Sequence, residues 1–251
     1  AAGNISVSAL AKSSTWSYYA ASGVQKDYVS SGDISLNSYS TTYSNAFYIS
    51  NILMRTTTGD ITLSASGGVI GNGAVHQATY LVGAVINAGG NFTIQGSTNT
   101  SGIATAAPGT ASSNTLAHYG VHFASTASLT YGGTTYTGYK AAGNISIAGT
   151  STSSYGVYIV APIASTAGTV TITGTSTSGY GIASTSAGTI TGATGVALYG
   201  VGSAGSITTA ALIRNTGSTG GVILNAVSNA SIGAVTNSGA DGIRITGGNG
   251  I

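Results

Sequence analysis

The chain has 251 residues, of which six are Lys or Arg and four are Asp or Glu, 4% in all, where a soluble domain carries about 25%. Lys12, Lys26, Arg55, Lys140, Arg214 and Arg244 stand singly along the chain, which excludes the clustered basic face that a nucleic-acid backbone requires. Cysteine is absent, excluding disulfides and thiolate metal sites, and no apolar run approaches the roughly 18 residues of a membrane-spanning helix.

With 42% hydrophobic residues the chain has material for a core, unlike the hydrophilic, charged segments that stay disordered. Ser, Thr, Asn and Gly must solvate its surface. Forty glycines, two prolines and many β-branched residues favour strands and turns over helices.

Read from the amino terminus, a pentapeptide recurs: Gly, then Asn, Asp or Thr, then apolar, Ser/Thr, apolar. It appears as Gly3-Asn4-Ile5-Ser6-Val7, Gly32-Asp33-Ile34-Ser35-Leu36, Gly59-Asp60-Ile61-Thr62-Leu63, Gly90-Asn91-Phe92-Thr93-Ile94, Gly143-Asn144-Ile145-Ser146-Ile147 and Gly168-Thr169-Val170-Thr171-Ile172. Weaker copies begin at Gly188 and Gly205. Successive glycines are 29, 27, 31, 53, 25, 20 and 17 residues apart. The step of 53 is read as two turns with one copy degraded around Ala127-Ser128-Leu129-Thr130. A second theme follows about twelve residues later, at Tyr155-Gly156-Val157 and Tyr180-Gly181-Ile182, and Tyr119-Gly120-Val121, Tyr199-Gly200-Val201 and Asp241-Gly242-Ile243 are assigned to it.

Alternation of apolar and hydroxyl residues is the pattern of a strand with one dry and one wet face. Five residues cannot bury their dry face alone, but equivalent strands stacked in parallel can, with Ile5, Ile34, Ile61, Phe92, Ile145 and Val170 in one column. Units of 20–30 residues without crossover helices reach a parallel arrangement only by coiling. The expected fold is therefore all-β, a right-handed parallel β-solenoid of roughly ten coils, about 45–50 Å long. It forms one domain over residues 1–251, either a processed protein or a section of a longer chain. The register after about residue 188 is not readable.

Asn4, Asp33, Asp60, Asn91 and Asn144 fall at one repeat position, where short polar side chains bond backbone groups at turns. They are read as a structural ladder. Asp33 and Asp60 are also the one pair that a cation could use. His118 and His122 lie four apart on a strand, about 13 Å, too far to share an ion; His76 stands alone. The sequons at Asn4, Asn91, Asn99, Asn144 and Asn229 are read as products of the repeat. Thr-x-Thr steps suggest an ice-binding array, which irregular coil lengths argue against. The tyrosines, with Trp16, Tyr18, Tyr19, Tyr39 and Tyr43 near the amino terminus, are read first as coil-to-coil stacks or covers and second as an interface for a subunit or a sugar.

The tandem pattern, with Ala1-Ala2-Gly3-Asn4-Ile5-Ser6 nearly repeated at Ala141-Ala142-Gly143-Asn144-Ile145-Ser146, resembles the repeat regions of filamentous-haemagglutinin-like and autotransporter-type adhesins of Gram-negative bacteria. That resemblance implies an extracellular, cell-surface fibre without cofactor or catalytic role. Its partners would be itself, through end-to-end assembly or further coils of the same chain, and glycans or proteins of a host or neighbouring cell. A non-catalytic carbohydrate-binding module is the alternative, and a carbohydrate-active β-helix enzyme, which needs convergent carboxylates, a more distant one.

Overall fold

A computed structural model describes residues 3–11, 18–20, 25–40, 47–68, 77–99, 119–125, 127–152 and 154–247. Alternating sequences give short strands, and the strands stack in parallel into three long sheets. Sheet A takes Ile5–Ala11, Ile34–Ser40, Ile61–Gly68, Phe92–Asn99, Ile145–Ser151, Thr169–Ser176, Gly195–Gly202, Val222–Ala226 and Ile243–Gly247. Sheet B runs from Tyr18–Ala20 through Phe47–Ser50, Gln77–Val82, Tyr119–Phe123, Tyr155–Ile159, Tyr180–Ser184 and Gly205–Thr209 to Ala230–Ile232. Sheet C runs from Lys26–Ser30 through Ile52–Thr56, Val85–Ala88, Tyr139–Ala141, Ile163–Ser165, Ile190–Gly192 and Ile213–Asn215 to Val235–Asn237. The chain visits A, B and C in turn and begins again, so the fold is a parallel β-solenoid with three strands in each coil.

Sheet A keeps register without a slip. Ile5, Ile34, Ile61, Phe92, Ile145, Val170, Val196, Val222 and Ile243 form one column. The intervals between them are 29, 27, 31, 53, 25, 26, 26 and 21 residues, so the described residues hold eight full coils and the sheet A strand of a ninth. Two expectations change here. The step of 53 is one coil, because Phe92 pairs directly with Ile145; among the described residues, part of the extra length is an antiparallel hairpin in which Ser128–Tyr131 pairs with Thr134–Thr137. Gly188 precedes a sheet C strand and Gly205 opens a sheet B strand, while Tyr199-Gly200-Val201 and Ile243 belong to sheet A. Pattern alone misassigned these because all three sheets use the same alternation.

The core is one continuous apolar column set in which Ile34, Leu36, Ile61, Leu63, Phe92, Ile94, Val170 and Ile172 are all fully buried. Coil 4 is filled by large rings: Phe123 meets Tyr139 edge to face at 4.9 Å. The buried Tyr139 hydroxyl donates to the Ser125 carbonyl at 2.7 Å, which satisfies the only polar atom of that side chain. A small satellite core lies outside sheet C. There the hairpin's Leu129 and Tyr136 cover Leu53 and Val85, with the Arg55 guanidinium 5.3 Å from the Tyr136 ring centre. Gln25 Nε2 donates to the Thr130 carbonyl at 3.0 Å. The hairpin thus reaches from coil 4 back to coil 1 as a strap.

Sheets A and B close to backbone contact along one corner, and the second theme's glycine is explained there. A β-carbon on Gly149 would lie 2.0 Å from the Gly156 carbonyl oxygen, and one on Gly174 would lie 2.1 Å from that of Gly181. No side chain fits, and flexible atoms are not what blocks it. Gly149→Ala should therefore cost at least about 3 kcal/mol, in the range of severe core overpacking, whereas Gly3→Ala, with nothing within 4 Å, should cost less than about 0.5 kcal/mol. Urea-unfolding midpoints of the two variants test this; equal shifts would contradict the close approach.

Candidate functional site

The Asn/Asp position forms a side-chain ladder along the corner that precedes sheet A. Asn4 Oδ1 accepts from the Asp33 backbone N–H at 2.8 Å, Asp33 Oδ1 from Asp60 N–H at 2.9 Å and Asp60 Oδ1 from Asn91 N–H at 2.7 Å. Asn91 Oδ1 then accepts from Asn144 N–H at 2.9 Å, and Asn144 Oδ1 from Thr169 N–H at 2.9 Å. Thr169 carries the line on, its hydroxyl 3.0 Å from that of Thr194. Each of these amide N–H groups is thereby bonded to the coil before it instead of to water.

The glycine before each ladder residue belongs to the same device. A β-carbon on Gly90 would sit 2.3 Å from Asp60 Oδ1, and one on Gly143 or Gly168 would sit 2.6 Å from the Oδ1 of Asn91 or Asn144. Gly-Asn and Gly-Asp are therefore a lock and its seat. Asp60 also accepts from Asn91 Nδ2 at 3.2 Å, so both carboxylates of the Asp33/Asp60 pair serve the ladder. Among the described residues no three His, Cys, Asp or Glu side chains are grouped to hold a metal ion.

A second line of polar groups marks the turn from sheet C to sheet A. Ser165 Oγ donates to the Gly143 carbonyl at 2.6 Å and accepts from Gly168 N–H at 2.8 Å. Thr56 also bonds both ways but one coil further on, donating to the Gly59 carbonyl at 2.5 Å and accepting from Gly89 N–H at 2.9 Å. These buried hydroxyls are satisfied in both roles, which is how a charge-poor chain keeps its corners in place.

Aromatic rings gather on the outer face of sheet B. Tyr48, Tyr80, His122 and Tyr158 occupy one register column, and Tyr19 precedes them in it. Tyr80 and His122 stack at 5.1 Å, and Tyr158 lies 5.0 Å beyond. Tyr119, Tyr155 and Tyr180 form a neighbouring stack with centroids 5.3 and 5.6 Å apart. The two columns interlock through Tyr119 and His122 at 4.7 Å and Tyr155 and Tyr158 at 4.8 Å. Because the ring faces are largely turned on one another, this cluster is chiefly a stiffening element between coils 2 and 6. Burial drives the His122 imidazole down to about 4 from its usual 6.5, holding it neutral, and raises the Tyr119 hydroxyl to about 12.

Of the residues expected as an interface, Tyr39 is half exposed on the outer face of sheet A. Tyr18 and Tyr19 lie in the first strand of sheet B by backbone; Trp16 and Tyr43, like His76 and His118, fall outside the described residues. The outer face of sheet A also shows what the pattern hid. Its outward columns hold Ser6, Ser35, Thr62, Thr93, Ser146 and Thr171 in one line and Ser8, Asn37, Ser64, Gln95, Ala148 and Thr173 in the next. Irregular coil length does not disturb them, since the strands keep one register throughout. In coils 7 and 8 the face turns more apolar, with Tyr199, Val201 and Ile223 exposed on it and Val227 exposed just past the strand. Comparisons with protein-family models, curated proteins and solved structures return no match to this chain.

Two outcomes follow. Asn91→Ala removes the acceptor for Asn144 N–H and the donor to Asp60, and should destabilise by about 1 kcal/mol, the net worth of hydrogen bonds that water can partly replace at this corner; a urea midpoint unchanged from the parent would contradict the ladder. Since the folded His122 titrates near 4 and the unfolded one near 6.5, the unfolded chain binds the extra proton between those values. Stability contributed by the neutral ring is full above about pH 6.5 and falls as pH drops toward 4, by at most about 3 kcal/mol. His122→Phe should flatten that part of the melting-temperature profile; a parallel profile in both proteins would contradict it.

Proposed function

We propose that this chain is a section of a structural extracellular fibre on a bacterial cell surface, serving adhesion or attachment, and that it is not an enzyme. The observation that carries this reading is the one-dimensional packing. Each coil buries its apolar residues against the next, and the polar ladder, the core columns and the aromatic stack all run from coil to coil. Such a body lengthens by addition of coils, from the same chain or another copy, without any new kind of contact.

Composition supports the same reading. A nearly uncharged rod held by repeated backbone and side-chain bonds offers little that depends on salt. The resemblance of its tandem Gly-Asn-Ile-Ser pattern to filamentous-haemagglutinin-like and autotransporter-type adhesins supports an extracellular location. Against hydrolytic or lyase chemistry, Asp33 and Asp60 direct their oxygens to ladder N–H groups rather than jointly into a groove.

Electron cryomicroscopy of the purified protein tests the reading. Elongated particles with a layer repeat near about 4.8 Å, joining end to end as concentration rises, are expected. Compact particles without that repeat would overturn it.

A further inference from the structure

We propose that the outer face of sheet A around Tyr39 binds an uncharged, linear glycan lying along the solenoid axis. Ser8, Asn37, Ser38, Tyr39, Ser64 and Ser66 line an open hollow of about 310 Å³, within the size range of small-molecule sites. This assignment gives the adhesive reading a ligand without needing the fibre itself, since particle shape and glycan binding are read separately.

The chemistry of the hollow matches a sugar. Tyr39 keeps 51% of its surface exposed, unlike the sheet B rings that stack on one another. A phenol ring has a negative face, and the C–H groups on one side of a pyranose present a complementary, weakly positive and apolar surface. Beside the ring stand the hydroxyls of Ser8, Ser64 and Ser66, which both donate and accept, and the exposed Asn37 amide, one N–H of which reaches Ser35 Oγ at 3.5 Å while its oxygen accepts; Ser38 turns inward and is buried. Sugar hydroxyls have the same dual character, so each can be matched without leaving a polar group stranded.

Charge selects the ligand class. From coil 1 to coil 8 the outward positions of sheet A among the described residues carry no charged side chain. A uronate or sulfated polymer would lose water here and gain no cation, whereas a neutral one loses no ionic hydration. The direction follows from register. Tyr39 is followed along its column by Ser66, Ser97, Thr150 and Thr175, and the parallel column from Asn37 runs through Ser64, Gln95, Ala148 and Thr173 to Tyr199 and on to Asn225 and Thr246. Hydroxyl and amide groups thus repeat at the strand spacing of about 4.8 Å, comparable with the advance of one sugar in an extended chain. A second exposed ring lies further along the face, 38% exposed at Tyr199.

Affinity electrophoresis through gels containing hydroxyethyl cellulose, mixed-linkage β-glucan or pullulan tests the proposal, with alginate as the charged comparison. At least one uncharged glucan should retard the protein and alginate should not. Tyr39→Ala should weaken retardation roughly tenfold or more, the usual scale for truncating an aromatic anchor. Tyr39→Phe, which keeps the ring, should retain most of it, and Tyr131→Ala, at the exposed hairpin, should match the parent. No retardation by any of the three glucans, stronger retardation by alginate, or retardation indifferent to Tyr39→Ala would each overturn the proposal. So would a sedimentation change on Tyr39→Ala without any glucan binding, which would make the hollow a contact between copies.

Discussion

Everything in this molecule depends on parallel strands stacked in register, one coil upon the next. A strand of five to eight residues has too little apolar surface to hold itself, so Ile34 or Val170 becomes a core residue only because an equivalent side chain lies directly above and below it. The same constraint turns a turn residue into a ladder. Asn144 at a corner is an ordinary solvated amide in one coil; repeated at Asn91 and continued at Thr169, it closes a line of bonds to successive backbone N–H groups. Register converts weak local preferences into a continuous structure, and any slip by one residue would turn the whole apolar set outward.

The three edges of the solenoid handle the shortage of charge differently. Between sheets C and A, buried hydroxyls of Thr56 and Ser165 bond in both directions. Before sheet A, carboxamides and carboxylates reach from coil to coil. Between sheets A and B, the chain dispenses with side chains, and Gly149 and Gly156 let backbone meet backbone. Glycine has two separate duties here: one set makes room for the neighbouring coil's Oδ1, the other for the opposite sheet's carbonyl. The ladder itself changes after Thr169, where the position before the sheet A strand becomes Gly195, Gly221 and Gly242, and the outer face changes with it from hydroxyl-rich to more apolar.

That division gives the outer faces separate characters. Sheet B presents rings that stack mainly on each other and hold a neutral histidine among them. Sheet C is strapped by a hairpin whose Leu129 and Tyr136 seat on Leu53 and Val85. Sheet A is left regular, uncharged and accessible through six coils, with Tyr39 standing free beside a hollow. The face with the least packing duty is the one suited to meeting something outside the molecule.

The strand pattern, the parallel coiling, the first six members of the sheet A column and the residues of the polar ladder were legible in the amino-acid sequence, because a spacing-two pattern that recurs without crossover helices has few physical solutions. The sequence did not reveal that Phe92 and Ile145 are neighbours across 53 residues, since chain length between strands says nothing about whether the excess folds as another coil or bulges from a corner. Nor did it separate the sheets at Gly188, Gly205, Tyr199 and Ile243, where the same Gly-apolar alternation serves three directions. That tyrosines stack from coil to coil was readable, but not which rings interlock from Tyr48 to Tyr180 and which, like Tyr39, stays open, because that depends on how the rings meet across coils and only the packed structure decides it.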